Sequence, residues 1–499
     1  MKFPSTIHLM FGLLCSPILA VAANDLNFNP QNYATQSVDV DGQVIKYRAY
    51  EHIVYVRNPV DAQYQQMNIY IPEVYFQGGN INGFTAQTAP IFLPNSIGGY
   101  MPTEPITATP SDRGPNAGKT STIAYALAHG YVVASPGARG RSLKDTNGQY
   151  TGKAPAAIVD LKAAVRYLRF NDSVMLGDAR KIISNGTSAG GAMSALLGAS
   201  GNSADYIPYL KALGAANARD DIFAVSAYCP ITNLENADAA YEWQFNGVNA
   251  YKKMLMGNMI DFHMERKEIS GTLTTDEIKT SDALKKQFPA YLNSLKLKDA
   301  RGTLLTLDNN GDGSFKNYVS AQIQVSAQKA LNQGADLSTY SWLSIQNGQV
   351  GTIDLNQYAH GVSRMKTPPA FDALDMSSGE NDLFGTTNIP AQHFTAYAQA
   401  NDNSHTTNKQ ADAHIVKLMN PMNYVGKPNV KTAQHWRIRV GTNDRDTALA
   451  VSAMLSLKLK NTGKSVDYSL PWGVPHSGDY DLDELFAWMD NLTKKTLSN

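Results

Sequence analysis

Gly186-Thr-Ser188-Ala-Gly190 places a serine between two glycines, with Gly191 following. A serine hydroxyl acts as a nucleophile when a sharp turn presents it to a base and to N–H groups that receive the negative charge pushed onto a carbonyl. The G-x-S-x-G pattern supplies that turn when it stands between a strand and a helix, because small neighbours let the two elements approach. Lys181-Ile-Ile-Ser184 reads as a strand, and a helix is expected over about 189–197. Ser188 is the candidate nucleophile; the competing reading is a glycine-rich packing turn. Ala189, first in the helix, supplies one oxyanion N–H. The second should come from an early strand–loop, for which Asn95-Ser-Ile-Gly98-Gly99-Tyr100 is the best match.

Such a serine needs a base and an orienting carboxylate, which in α/β-hydrolases follow it in the order Asp, His. His476 lies just past a predicted strand at 466–470, in Pro471-Trp-Gly-Val-Pro-His476. Asp444 follows a predicted strand at 436–440, in Gly441-Thr-Asn-Asp444-Arg-Asp446. Spacing alone does not separate Asp444 from Asp446, which can equally cap the helix expected from Thr447. His129 and His435 precede strands, and His263, His360, His393, His405 and His414 fall outside the alternating pattern; they read as structural.

The elements that must hold these residues alternate. Strands at 89–93 and 131–134, a helix at 156–170, the 181–184 strand and the 189–197 helix imply a parallel sheet with crossover helices. Strand, helix, strand, helix return between 436 and 492. From 230 to 419 the alternation is lost in a polar, helix-and-loop stretch. The expectation is an α/β-hydrolase fold: core at 24–229 and 420–499, with a large inserted lid domain at 230–419.

The first 23 residues read as a secretory signal peptide: Lys2, an apolar run over 9–20, and small residues with cleavage near Ala22 or Ala23. Removal leaves 42 basic against 43 acidic residues, a net charge of −1, which argues against nucleic-acid binding. It also leaves Cys229 as the sole cysteine, so no intrachain disulfide forms, and a buried structural thiol is the simple reading. No further apolar run spans a bilayer, so no membrane association is expected after cleavage. Asp308-Asn-Asn310-Gly-Asp312-Gly313 resembles the start of a calcium loop, but position twelve is Val319, and a turn fits better. No metal cluster and no cofactor fingerprint stands in context, so neither is expected.

Asn185-Gly-Thr-Ser-Ala-Gly-Gly-Ala-Met-Ser-Ala-Leu-Leu-Gly-Ala-Ser-Gly201 resembles the nucleophile region of bacterial tannases. So do Tyr228-Cys-Pro-Ile-Thr-Asn-Leu, Gly441-Thr-Asn-Asp-Arg-Asp-Thr and Leu470-Pro-Trp-Gly-Val-Pro-His-Ser-Gly-Asp-Tyr-Asp-Leu. The resemblance extends over nearly the whole mature chain. It implies a serine esterase that releases gallic acid from galloyl esters, a small-molecule substrate, and the signal peptide makes it a secreted or periplasmic one. It makes Ser188, Asp444 and His476 the triad, with the Gly99 and Ala189 amides as oxyanion hole. It also separates the aspartates: Asp446, with Lys366 and Glu380, matches residues that bind the galloyl hydroxyls. A second tannase and feruloyl-esterase family has cysteines flanking its catalytic Ser and His; here Thr187 and Ser477 stand there, which matches the cysteine-free group.

Three adjacent ring hydroxyls both donate and accept, so a lysine with two carboxylates suits them. A site built to bond hydroxyls can reject analogues lacking them by ~10⁴–10⁵. The alternatives are another aryl esterase, such as one for ferulate, and a non-catalytic phenol- or sugar-binding protein on the same scaffold. Oligomeric state and the preferred alcohol are not encoded in any of these motifs.

Overall fold

The computed structural model describes residues 25–109, 120–260, 263–407 and 410–495; the signal-peptide expectation therefore lies outside the described residues. An antiparallel meander comes first: β1 (Ala34–Val40), β2 (Gln43–Val54) and β3 (Gln66–Pro72). β3 pairs antiparallel with β5 (Val132–Pro136), which pairs parallel with β4 (Pro90–Pro94). Parallel pairing continues through β6 (Asp178–Thr187) and β7 (Ala224–Tyr228).

The apolar runs of β4, β5 and β7 are buried along their whole length, as strands covered on both faces must be. Helices α1 (Thr122–Ala128), α2 (Ala156–Phe170), α3 (Ala189–Ala199) and the short α4 (Ile207–Ala212) flank the sheet. All of α3 is buried, and Gly191 and Gly198 lie against β7 where a side chain would collide with Tyr228 and Val225.

After β7 the chain leaves the sheet. The excursion holds α5 (Leu234–Phe245), a hairpin of β8 (Ala250–Ile260) with β9 (His263–Thr272), α6 (Thr275–Lys285), α7 (Phe288–Ser294) and α8 (Ser314–Asn332). It continues through the two-residue strands β10 (Ile345–Gln346) and β11 (Gln349–Val350), then α9 (Leu355–Val362), α10 (Gly379–Leu383), α11 (Ala396–Ala400) and α12 (Ala413–Leu418). Trp243 packs tilted against Phe288 and Phe315 at 5.1 and 5.8 Å between ring centroids, within one apolar cluster that includes the sheet.

The sheet is completed by β12 (His435–Arg439), parallel to β7, and β13 (Ser465–Ser469), with α13 (Leu449–Asn461) between them and α14 (Leu482–Lys495) closing the chain. The strand order is β1-β2-β3-β5-β4-β6-β7-β12-β13. This is the α/β-hydrolase fold.

Two parts depart from expectation. β1 and β2 carry no strong apolar signal because β1 and the start of β2 are largely exposed. The β8–β9 hairpin stands in a stretch read as helix and loop, since Lys252-Lys-Met-Leu-Met-Gly-Asn-Met-Ile260 lacks strict alternation. The Asp308–Asp312 loop is a turn, as expected: Asp308 Oδ1 accepts the Asn310 and Asp312 amides, and Lys316 pairs with Asp312 at 2.7 Å. Among the described residues, no helix is long and apolar enough to cross a membrane.

Candidate active site

β6 ends at Thr187 and α3 begins at Ala189, leaving Ser188 alone between them at φ 59°, ψ −122°. That left-handed backbone is costly for a non-glycine residue and persists only where its surroundings over-determine it. They do so here. The Ser188 amide donates to the Tyr228 carbonyl at 3.0 Å, and the Ser188 carbonyl accepts from the Ala192 amide at 2.8 Å. A Cβ at Gly186 would lie 2.4 Å from the Gly190 carbonyl oxygen, so only glycine lets strand and helix cross. The glycines of the motif thus close the turn rather than fill space.

Asn95 ties the loop after β4 to this turn. Its Nδ2 donates to the Asn185 and Gly190 carbonyls and to Ser194 Oγ, at 3.1, 3.2 and 2.9 Å. Beyond it, Gly98–Met101 forms a turn closed by Met101 N–H to Gly98 O at 2.9 Å, with Gly99 at φ 54° and Tyr100 at φ 58°. Among the described residues, neither the Gly99 nor the Ala189 amide donates to another backbone group.

The loop after β12 supplies Asp444, and the loop after β13 supplies His476. Asp444 is fully buried; its Oδ2 contacts His476 Nδ1 at 2.8 Å and its Oδ1 accepts the Asp446 amide at 2.9 Å. Both carboxylate oxygens are thereby occupied, and the imidazole is held by one edge. Burial alone lowers the His476 pKa, but the Asp444 charge and hydrogen bond, with the Cys229 thiol, more than offset it, and the imidazole stands well above its ordinary value. Asp446 lies farther off, its Oδ2 3.8 Å from His476 Nδ1. It is not a helix cap: α13 starts at Leu449, with Ala448 at the N-cap position.

Sequence reasoning missed the neighbour of the other imidazole nitrogen. Cys229 Sγ lies 3.9 Å from His476 Nε2 and 3.4 Å from the Ser477 carbonyl, on a backbone at φ 36°. The thiol is buried, as expected, and burial pushes its pKa up. Its position beside the imidazole had no local signature. Cys229, Asp444 and His476 offer metal-type ligand atoms within 4.8 Å of one another. Asp444 contacts Nδ1 and Cys229 faces Nε2, and one ring cannot turn both nitrogens to one ion, so this is a hydrogen-bonded arrangement and not a chelate. Among the described residues, no hydrogen bond joins Ser188 Oγ to His476.

Lys366, Glu380 and Asp446 are all half-buried. The Lys366 ammonium lies 4.1 Å from the centre of the Phe371 ring. Its backbone is fixed more firmly: the Met365 and Lys366 amides donate to Tyr241 Oη at 3.1 and 3.0 Å, and Arg364 Nε donates to the Lys366 carbonyl at 2.9 Å. Arg364 is itself buried in an ion pair with Glu242 at 2.5 Å. The Tyr241 hydroxyl donates onward to the Arg445 carbonyl at 3.0 Å, joining the Lys366 loop to the Asp444–Asp446 loop. Glu380 stands in the first turn of α10, whose cap Ser378 accepts the Asn381 amide at 2.9 Å. Its charge reaches Tyr100: burial first, then Glu380, push that phenol's pKa up. Among the described residues, neither the Lys366 ammonium nor the Glu380 carboxylate is in an ion pair.

The chain matches the family described as BD-FAE over residues 111–274. No curated protein sequence matches it. The crystal structure of Fusobacterium nucleatum tannase is 55% identical at a TM-score of 0.90, covering 94% of this chain and 99% of that one. The Lactobacillus plantarum tannase is 47% identical at a TM-score of 0.90, covering 94% and 100%. The chain belongs to the bacterial tannase family. Tannases are carboxylic ester hydrolases, and so is this chain. A third tannase structure, of a tannin acyl hydrolase in complex with ethyl gallate, is 47% identical at a TM-score of 0.87, covering 94% of this chain and 99% of that one.

Proposed function

We propose that this tannase hydrolyses galloyl esters and releases gallic acid, with Ser188 as nucleophile, His476 as general base and Asp444 as its orienting carboxylate. The observation that carries the reading is Ser188 on its left-handed turn at the edge of the sheet that also delivers the His476–Asp444 pair, 2.8 Å apart.

His476 Nε2 takes the Ser188 proton as Oγ bonds to the ester carbonyl carbon. The carbonyl π electrons move to oxygen, where the Ala189 and Gly99 amides receive the charge. Collapse breaks the bond to the leaving alcohol, which takes its proton from Nε2. A water then repeats the sequence on the acyl-serine: it gives a proton to His476, its oxygen bonds to the acyl carbon, and Ser188 leaves reprotonated. Asp444 stays ionised throughout and stabilises the imidazolium. Lys366, Glu380 and Asp446 hold the ring hydroxyls.

Residues 230–419 form a lid over this edge, and the first 23 residues direct export, with cleavage near Ala22 or Ala23. The test is hydrolysis of methyl gallate and methyl ferulate by the mature protein. The expected outcome is cleavage of gallate, little cleavage of ferulate, and a fall of about 10⁴-fold or more in kcat for Ser188→Ala. Wild-type activity in Ser188→Ala, or preference for ferulate, rejects the assignment.

A further inference from the structure

The Gly98–Met101 turn is unusual in having two central residues at positive φ, one of them the buried Tyr100. Two adjacent glycines give a chain no intrinsic preference for the orientation that offers the Gly99 amide to the ester. One residue holds both central carbonyls. The Arg141 amide donates to Tyr100 O at 2.8 Å, and Arg141 Nε donates to Gly99 O at 2.8 Å. The far edge of the same guanidinium pairs with Asp382 of α10, two residues past Glu380, and lies against Gly379, where a Cβ would meet Arg141 Cζ at 3.2 Å. Asp382 is fixed in turn by Lys153, whose Nζ also donates to the Asp382 and Pro390 carbonyls at 2.8 and 2.7 Å. One planar fork therefore spans the turn that presents an oxyanion donor and the short helix that presents Glu380.

We propose that Arg141 is a positioning residue that couples ring-hydroxyl binding at Glu380 to the oxyanion turn. This rests on the galloyl-ester reading above. When a substrate hydroxyl engages Glu380, it fixes α10 and Asp382. Asp382 fixes the guanidinium, and the guanidinium fixes Gly99 O and with it the orientation of the Gly99 segment. Binding energy at the ring is thereby realised in the transition state at the carbonyl, which raises kcat and not merely affinity. Lysine cannot replace arginine here, because a point charge cannot bond Gly99 O and Asp382 through one rigid plane.

The experiment compares Arg141→Lys with wild type on methyl gallate and on 4-nitrophenyl benzoate, whose activated leaving group keeps the reaction measurable without ring hydroxyls. Binding of gallic acid is measured alongside. The expected result is a kcat for gallate roughly 30-fold lower, benzoate kcat/KM within about threefold of wild type, and a gallic acid Kd within about threefold. An equal fall on both esters overturns the coupling, since Arg141 would then only shape the turn. So does weaker gallic acid binding with unchanged kcat. If Arg141→Lys fails to fold, Asp382→Asn, which cuts the other end of the fork, must show the same selective loss on gallate, and its absence overturns the proposal. Glu380→Gln separates the two readings. If it weakens gallic acid binding while Arg141→Lys behaves as wild type, the coupling alone fails. If it leaves gallate binding and turnover untouched, the ring-site reading fails and takes the coupling with it.

Discussion

The sheet edge that carries Ser188, Asp444 and His476 and the wall that carries Lys366 and Glu380 are built differently. At the edge, each residue stands within a few positions of a strand end, and neighbouring strands hold it: Ser188 through Tyr228 of β7, Cys229 through the Arg439 carbonyl of β12 at 2.6 Å. The wall has no strand. Its residues sit on loops and a one-turn helix, and polar side chains of α5 hold their backbone. Asp238, Tyr241 and Glu242, spaced to share one helix face, take respectively the Phe371 and Asp372 amides, the Met365 and Lys366 amides, and the Arg364 guanidinium. Asp372 extends the array to Asn381 and His393, at 2.7 and 2.6 Å. The geometry of the edge is thus set by backbone, that of the wall by buried side-chain anchors. Changes at the edge should abolish rate; changes in the anchors should grade specificity.

The largest effect is expected at the edge. Asp444→Asn keeps the size of the side chain but removes the charge that holds His476 in its tautomer, and kcat should fall by roughly 10⁴. The pH profile sharpens the test. His476 acts as a base only when neutral, and its pKa stands well above 6.5, so wild-type kcat/KM should rise with pH through a limb above that value. Removing the Asp444 charge removes the largest raising influence, so the limb should move to lower pH. An unmoved limb would mean that Asp446, 3.8 Å from the same nitrogen, is the true orienter.

That contrast also explains what the sequence reveals. The edge can be read because each part fits one short window: five residues for the elbow, and an aspartate and a histidine each just past a strand. The flanking strands and helices can be read because their apolar periods are complete. The wall cannot be read this way. Lys366 is placed by Tyr241 and Arg364 by Glu242, partners more than 120 positions away, and no local period records such pairs. Only family resemblance singles out Lys366 and Glu380. Arg141 and the placement of Cys229 against His476 had no signal at all, since both depend on loops that meet only in the folded chain.

A smaller effect is expected at the anchor joining the two regions. Tyr241→Phe deletes one oxygen and leaves the Met365 and Lys366 amides and the Arg445 carbonyl without it. Leaving buried polar groups unpaired costs about 1–3 kcal/mol. Loosening falls mainly on Lys366, so KM for methyl gallate should rise roughly 10-fold, with kcat changed less than about threefold. A fall in kcat at constant KM would show instead that Tyr241 serves the Asp444 loop, and the division between edge and wall would not hold there.

The smallest effect on activity is expected at Asp238, where the contrast becomes a matter of stability. Burial, and then the charge of Asp372, raise the Asp238 pKa from 3.8 to about 7, against the lowering pull of the Phe371 and Asp372 amides. Between those two values the unfolded chain has released this proton while the folded chain keeps it. The folded state binds more protons, so the Asp238 contribution to stability declines as pH rises from about 4 to 7, by at most about 1.4 kcal/mol per pH unit. His393, raised by Asp372 and Asp402 in excess of the lowering by burial, has the same sign but acts above 6.5. Denaturant melts of wild type and Asp238→Asn between pH 4 and 6.5 therefore isolate Asp238. The difference in unfolding free energy between the two proteins should shift steadily in favour of the variant as pH rises, while kcat/KM for methyl gallate at pH 7 stays within about twofold. A pH-independent difference would mean that Asp238 is charged in the fold.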